Sequence, residues 1–357
     1  MITPNPMFGV GLHSVGAMLS ANCYAPQKGI KSWSWETYWM TQAFWCWFLW
    51  PIIGAALTIP NLAGVLATAY QTCPKQMLLS FLFGLAYGVG GTAFNISIRY
   101  IGFSLTYAIA VGLSSVLGTL IPPLVRGEFG KILAKTGSGW VMLGVVVGAA
   151  GIAVCGMAGH FKEGDLKAKA GGTAGFSLFK GLMLSLLAGV LSAVYGFALE
   201  VAQPVVDIAE AQGAGVWKGN VAYLFANTGA FLTALVYSLY LALKNRSLGE
   251  LVKLPAKDKS ASLPLNYALA MLTGTLWYGQ FFFYNLGHVR MGSYAFTSWA
   301  IHMIMLVLFS NLAALLFREW AGCRPRTRLA ISFGLLVLLV AVSFLTYGNY
   351  LGEPPVS

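Results

Sequence analysis

Ten runs of about 20 mostly apolar residues, joined by short links, decide what this chain can fold into. They lie at approximately 7–25, 37–59, 77–98, 103–123, 140–158, 180–200, 219–243, 265–287, 293–317 and 329–350. Each has the length an α-helix needs to cross a hydrocarbon core ~30 Å thick. Of the 357 residues, 57% are hydrophobic and only 9% are charged, whereas a soluble domain is about 25% charged. No soluble fold of this length has an interior that could hide so much apolar surface. The runs are continuous, without period-2 alternation, which excludes a transmembrane barrel. The expected fold is therefore all-α, a polytopic membrane protein of ten transmembrane helices.

A net charge of +11 raises the question of nucleic acid. The basic residues are scattered over short loops, a topogenic pattern, so membrane lipid is the expected surroundings and nucleic acid is not a partner. The links after odd-numbered spans, with their edges, hold 16 of the 22 Lys and Arg, and those after even-numbered spans hold 6. The positive-inside rule then puts both termini on the outer face. Cys23, Cys46, Cys73, Cys155 and Cys323 are odd in number and lack C-x-x-C spacing. They read as packing residues, not disulfides or metal ligands. No Lys/Arg cluster marks a signal peptide at the N-terminus, and Asn22 spoils a lipoprotein-like run at Leu19–Cys23. The first run reads as a retained helix.

Ten spans divide into five and five, and an odd number per half inverts the second half. The link Asn95-Ile96-Ser97-Ile98-Arg99-Tyr100-Ile101-Gly102-Phe103-Ser104 is echoed by Asn285-Leu286-Gly287-His288-Val289-Arg290-Met291-Gly292-Ser293. Each has Asn, then Arg, then Gly and a hydroxyl, at equivalent places after spans 3 and 8. The expected organisation is a first five-helix repeat at 1–160, a connecting loop at 161–179 and a second repeat at 180–357. Segment 201–217, with Asp207 and Glu210, reads as a short surface helix. Inverted repeats place a site between halves that rock against each other.

No carboxylate sits at the centre of a span, since Asp165, Asp207 and Asp258 lie in loops and Glu36, Glu200 and Glu319 at span ends. No Ser-His-Asp set, H-E-x-x-H or P-loop occurs, so an intramembrane enzyme is unsupported and no cofactor is implied. Histidine titrates near pH ~6.5, and His13 in span 1 and His302 in span 9 are the candidates for proton coupling. An imidazole simply bonded to a neighbouring helix is the alternative. Trp277, Gln280, Tyr284 and His288 form one stripe of span 8, and Trp299 and His302 lie one turn apart on span 9. Flat rings beside amide and imidazole donors suit a sugar, whose C–H faces stack while its hydroxyls take hydrogen bonds. An interfacial aromatic belt explains Trp33, Trp35, Trp39 and Trp320 but fits mid-span Trp277 and Gln280 poorly. Pro51 and the Pro122-Pro123 pair are expected to bend or end helices. Arg99 and Arg290 could hold helix-end carbonyls at the two related turns.

These residues resemble the bacterial L-rhamnose–proton symporter family of the drug/metabolite transporter superfamily. The resemblance is carried by Tyr24-Ala25-Pro26, Trp33-Ser34-Trp35-Glu36-Thr37, Arg99-Tyr100 with Gly102 and Ser104, and Gly118-Thr119-Leu120 with Pro123. WY-x-QFFFY-x-x-GH-x-R over Trp277–Arg290, Ser298-Trp299, His302-Met303 and Glu319-Trp320 complete it, with His13 at the matching distance before Tyr24. It covers nearly the whole chain but is weak around 195–220 and 244–264, and Glu200 has no counterpart. The resemblance implies an inner-membrane importer of L-rhamnose with a proton by alternating access. It makes Trp277, Gln280, Tyr284, Trp299 and Asn95 the expected sugar contacts, and leaves His302 and His13 as the proton-coupling pair. A carrier of another small metabolite on the same scaffold, and a non-transporting sugar sensor, remain as alternatives. Oligomeric state is not set by the sequence.

Overall fold

The computed structural model describes residues 4–101, 103–125, 127–170, 178–254, 260–316, 318 and 320–352. Among them there are helices and no strand. In chain order the helices are α1 (Pro6–Asn22), α2 (Trp35–Ala43), α3 (Trp50–Thr58), α4 (Leu62–Thr72), α5 (Pro74–Ile101), α6 (Phe103–Val125) and α7 (Phe129–Leu133). They continue as α8 (Ser138–Ala170), α9 (Leu178–Val201), α10 (Gln203–Ala211), α11 (Ala222–Asn245), α12 (Leu263–His288), α13 (Ser298–Leu316) and α14 (Pro325–Gly352). Proline opens α1, α5 and α14 and stands at the second residue of α10, where its missing N–H costs nothing, whereas Pro51 lies inside the continuous helical path just after a wide turn. Pro122 and Pro123 fall in the last turn of α6, which ends at Val125. A wider turn, Phe44–Leu49, joins α2 to α3 without breaking the helical path.

Among the described residues, eight stretches are long and apolar enough to cross a membrane: Trp35–Thr58, Pro74–Ile98, Leu105–Val125, Ser138–Asp165, Phe179–Val201, Gly215–Asn245, Ala295–Leu316 and Pro325–Gly352. Two spans expected from the sequence are not among them. α1 has 17 residues, which is at the short limit for a span. α12 has 26 residues but is interrupted by Asn266, Thr273, Thr275, Gln280, Tyr284 and Asn285. These two helices carry His13 and the Trp277–His288 stripe.

The chain folds as two compact units, each built from separated segments. The first contains Met1–Ala21, Gly90–Gly196 and Phe283–Ser357. In it α8 and α14 pack along their lengths, and α6 and α13 lie against α8. Asp165, expected in a loop, is inside α8. Its carboxylate accepts from the backbone N–H of Arg324 at 2.8 Å and from Thr327 Oγ1 at 2.7 Å, and so caps α14. α8 continues to Ala170, into the segment expected as the connecting loop, and residues 171–177 lie outside the described residues. Arg290 turns its guanidinium over the Phe8 ring at 5.3 Å. The side chain of Arg99, and Gly102, Asp258 and Glu319, also lie outside the described residues.

The second unit contains Asn22–Val89 and Phe197–Phe282. α11 lies against α2 and the wide turn, and α10 against α4. Glu36 Oε1 accepts from Asn245 Nδ2 at 2.8 Å and Ser247 Oγ at 2.9 Å, and Glu250 Oε2 accepts from Ser34 N at 2.6 Å. α10 fulfils the expected short helix at 201–217, burying Val205, Val206 and Ala209. All five cysteines are buried and unbonded. Trp39 and Trp320, expected in an aromatic belt, are 0% and 2% exposed, buried in protein.

Candidate functional site

The first unit gathers three of the predicted residues around the ring of a fourth. Tyr284, at the end of α12, has its ring centroid 5.2 Å from His13, 5.5 Å from His302 and 5.7 Å from Trp299. The ring of His288 stacks on it one turn further along, at 5.9 Å and 18°. His13 and His302 face each other edge-on at 6.1 Å. They come from α1 and α13, at opposite ends of the chain.

Local structure explains why they can approach. A Cβ on Gly287 would stand 2.9 Å from the carbonyl oxygen of Gly9 and 2.9 Å from His13 Nε2. Only a pair of glycines lets α1 and α12 cross so closely and seats the imidazole against bare backbone. Trp299 is fixed from the other side. Its indole N–H donates to the Ser114 carbonyl at 3.0 Å, and its ring lies over Gly118, where a Cβ would be 2.6 Å away. His288 Nδ1 lies 3.1 Å from Ser298 Oγ, at the start of α13. The left-handed backbone at Gly292, φ 56°, ends the turn that reverses the chain between α12 and α13.

The rings of this cluster are buried, with His13 0% and His302 2% exposed. Neither ring nitrogen of His13 has a hydrogen-bond partner. A neutral imidazole offers one donor and one acceptor, so His13 holds an unused place for a proton, a water or a hydroxyl group.

The remaining predicted residues are elsewhere. Trp277 belongs to the second unit and touches the rings of Trp47 at 5.2 Å, Tyr24 at 5.4 Å and Trp39 at 5.9 Å. Gln280 is buried on the same helix, and Asn95 is buried in the part of α5 belonging to the first unit. Sequence reasoning passed over Trp47 and Gln42 and gave Trp39 to the belt. The spacing of Trp35, Trp39 and Gln42 at i, i+4 and i+7 was the available signal of a shared inner face. Among the described residues, no group of three His, Cys, Asp or Glu could hold a metal ion.

A multi-pass helical membrane protein with a buried imidazole–phenol cluster has the build of a carrier. The chain belongs to the L-rhamnose–proton symport protein family, whose model matches residues 4–350. It is similar to the L-rhamnose-proton symporter of Cronobacter sakazakii, 35% identical over 348 residues, covering 95% of this chain and 97% of that one. It is 34% identical over the same coverage to the L-rhamnose-proton symporters of Shigella dysenteriae and Escherichia coli O1:K1.

Proposed function

We propose that this protein imports L-rhamnose together with a proton across the bacterial inner membrane by alternating access. Family membership over nearly the whole chain supports the substrate and the coupling, and a symporter family makes the chain a transporter, not an enzyme. The single observation that carries the mechanism is the contact of His13, Tyr284 and His302, with both His13 nitrogens unpartnered. Protonation of this pair biases which of two states is populated, and the sugar does the same through differential contacts. Trp277, Gln280, Tyr284, Trp299 and Asn95 are the proposed sugar contacts.

The same reading takes α1 and α12 as crossings too, the first and eighth of ten, in two inverted five-helix repeats at 1–160 and 180–357 with the link 161–179 between them. The make-up of the units supports it, because 22–89 and 197–282 are corresponding parts of the two halves. The excess of Lys and Arg in alternate links supports termini on the outer face.

Adding L-rhamnose to de-energised cells that express the protein should make the medium more alkaline as protons follow the sugar inward. Saturable rhamnose counterflow in proteoliposomes should accompany it. Counterflow without alkalinisation would remove the proton from the mechanism. Binding without counterflow would leave a sugar sensor.

A further inference from the structure

The second unit contains polar groups that its fold leaves unused. Gln42 on α2 is fully buried, and neither its amide oxygen nor its amide nitrogen has a hydrogen-bond partner. The indole N–H groups of Trp39 and Trp47 are fully buried and equally unpartnered. Buried polar atoms are bonded in the great majority of cases, and each exception asks for a reason. Three such side chains on one short stretch of helix are a concentration, not a scatter.

The backbone brings them together. Trp35, Trp39 and Gln42 recur at helical spacing, and Trp35 stacks on Trp39 at 5.5 Å and 12°. In an unbroken α-helix the next position of this stripe would be residue 46. The wide turn Phe44–Leu49 inserts one extra residue, and Trp47 takes the place, edge-on to Trp39 at 5.8 Å. Such turns inside helices occur disproportionately at functional sites. α12 crosses here at Gly274, where a Cβ would be 2.8 Å from the carbonyl oxygen of Gln42. One turn further, Trp277 closes the box against Trp39 and Trp47.

The chemistry narrows the occupant. An indole N–H only donates, so it cannot take a proton or a cation, and a carboxamide does not titrate. A lipid tail would leave all these groups unbonded. Vicinal hydroxyls complement a carboxamide, which donates and accepts at once, and further hydroxyl or ring oxygens accept from the indoles. The apolar faces and methyl group of a 6-deoxyhexose then lie on the rings.

We propose that Gln42, with the N–H groups of Trp39 and Trp47, is a specificity-determining contact of the transported sugar. This rests on the L-rhamnose reading above. The box is closed in this structure, and it admits sugar in the open states of the transport cycle.

The test compares purified full-length wild type with Gln42→Leu and Trp39→Phe, reading L-rhamnose binding in detergent and uptake in proteoliposomes. Gln42→Leu should raise the half-saturation concentration roughly ten-fold, with maximal uptake kept and the thermal unfolding temperature unchanged or higher. It should also narrow the preference for L-rhamnose over L-fucose, which differs at C2 and C4. Trp39→Phe keeps a ring and removes the N–H, and should weaken binding without lowering maximal uptake, so the test does not hang on the folding of one variant. Wild-type affinity and selectivity in both variants would overturn the assignment. A wild type that binds no L-rhamnose would overturn the substrate reading and this assignment with it.

Discussion

An imidazole that neither donates nor accepts is costly inside a protein, about 1–3 kcal/mol for each buried group left without a partner. His13 carries two such atoms at the α1–α12 crossing, so its place there points to use. If the use is proton transfer, His13→Leu and His302→Ala should abolish proton-driven accumulation and spare energy-independent counterflow. His13→Leu should unfold at no lower a temperature than wild type. Full accumulation by either variant would remove that histidine from the coupling. The intramembrane histidines could be picked out in the sequence because a polar side chain within an apolar run is conspicuous. That they share Tyr284 could not, since the stripe on α12 assigned Tyr284 to sugar and gave no register between α12 and helices α1 and α13. Trp39 was misplaced for a related reason. An aromatic near a span end looks the same in sequence whether it faces lipid or protein, and only the packing of Trp47 and Trp277 around it decides.

Helix ends were harder to read than helices. The apolar run behind α8 stops near residue 158, but the helix continues to Ala170, because a helix leaving the bilayer loses its lipid and keeps its backbone hydrogen bonds. Asp165 uses that extension to cap α14, accepting from Arg324 N and Thr327 Oγ1, with Arg324 Nε 3.3 Å away. N-caps of this kind contribute about 0.5–2 kcal/mol. Asp165→Ala should therefore lower the thermal unfolding temperature in detergent by a few degrees, and Asp165→Asn, which keeps an acceptor, by less. Equal melting of all three proteins would show that the cap is idle. α10 was legible because Gln203-Pro204 and the polar residues Asp207 and Glu210 interrupt the apolar pattern on both sides of a buried Val205–Val206 face. The wide turn at Phe44–Leu49 was not, because its residues are all apolar or aromatic and no spacing rule marks an inserted residue.

At the scale of the molecule, all-helical membrane architecture follows from composition alone, while the number of crossings depends on the short helix α1 and on α12, whose apolar run polar residues interrupt. If α1 and α12 both cross, Arg328, in the first turn of α14, faces the cytoplasm. If neither crosses, that end of α14 faces outward, while Lys75 stays outside and Lys253 stays inside under both counts. Lys75, Lys253 and Arg328 are all exposed, and the five native cysteines are buried, so single added cysteines can be read against a low background. Lys75→Cys should react with an impermeant maleimide on intact spheroplasts, and Lys253→Cys only after permeabilisation. Ten crossings require Arg328→Cys to behave like Lys253→Cys. Labelling of Arg328→Cys from outside, with the two controls as stated, would mean that α12 does not cross. The stripe from Trp277 to His288 would then lie outside any transport path through the membrane, and the proposed sugar and proton contacts on it would fall together.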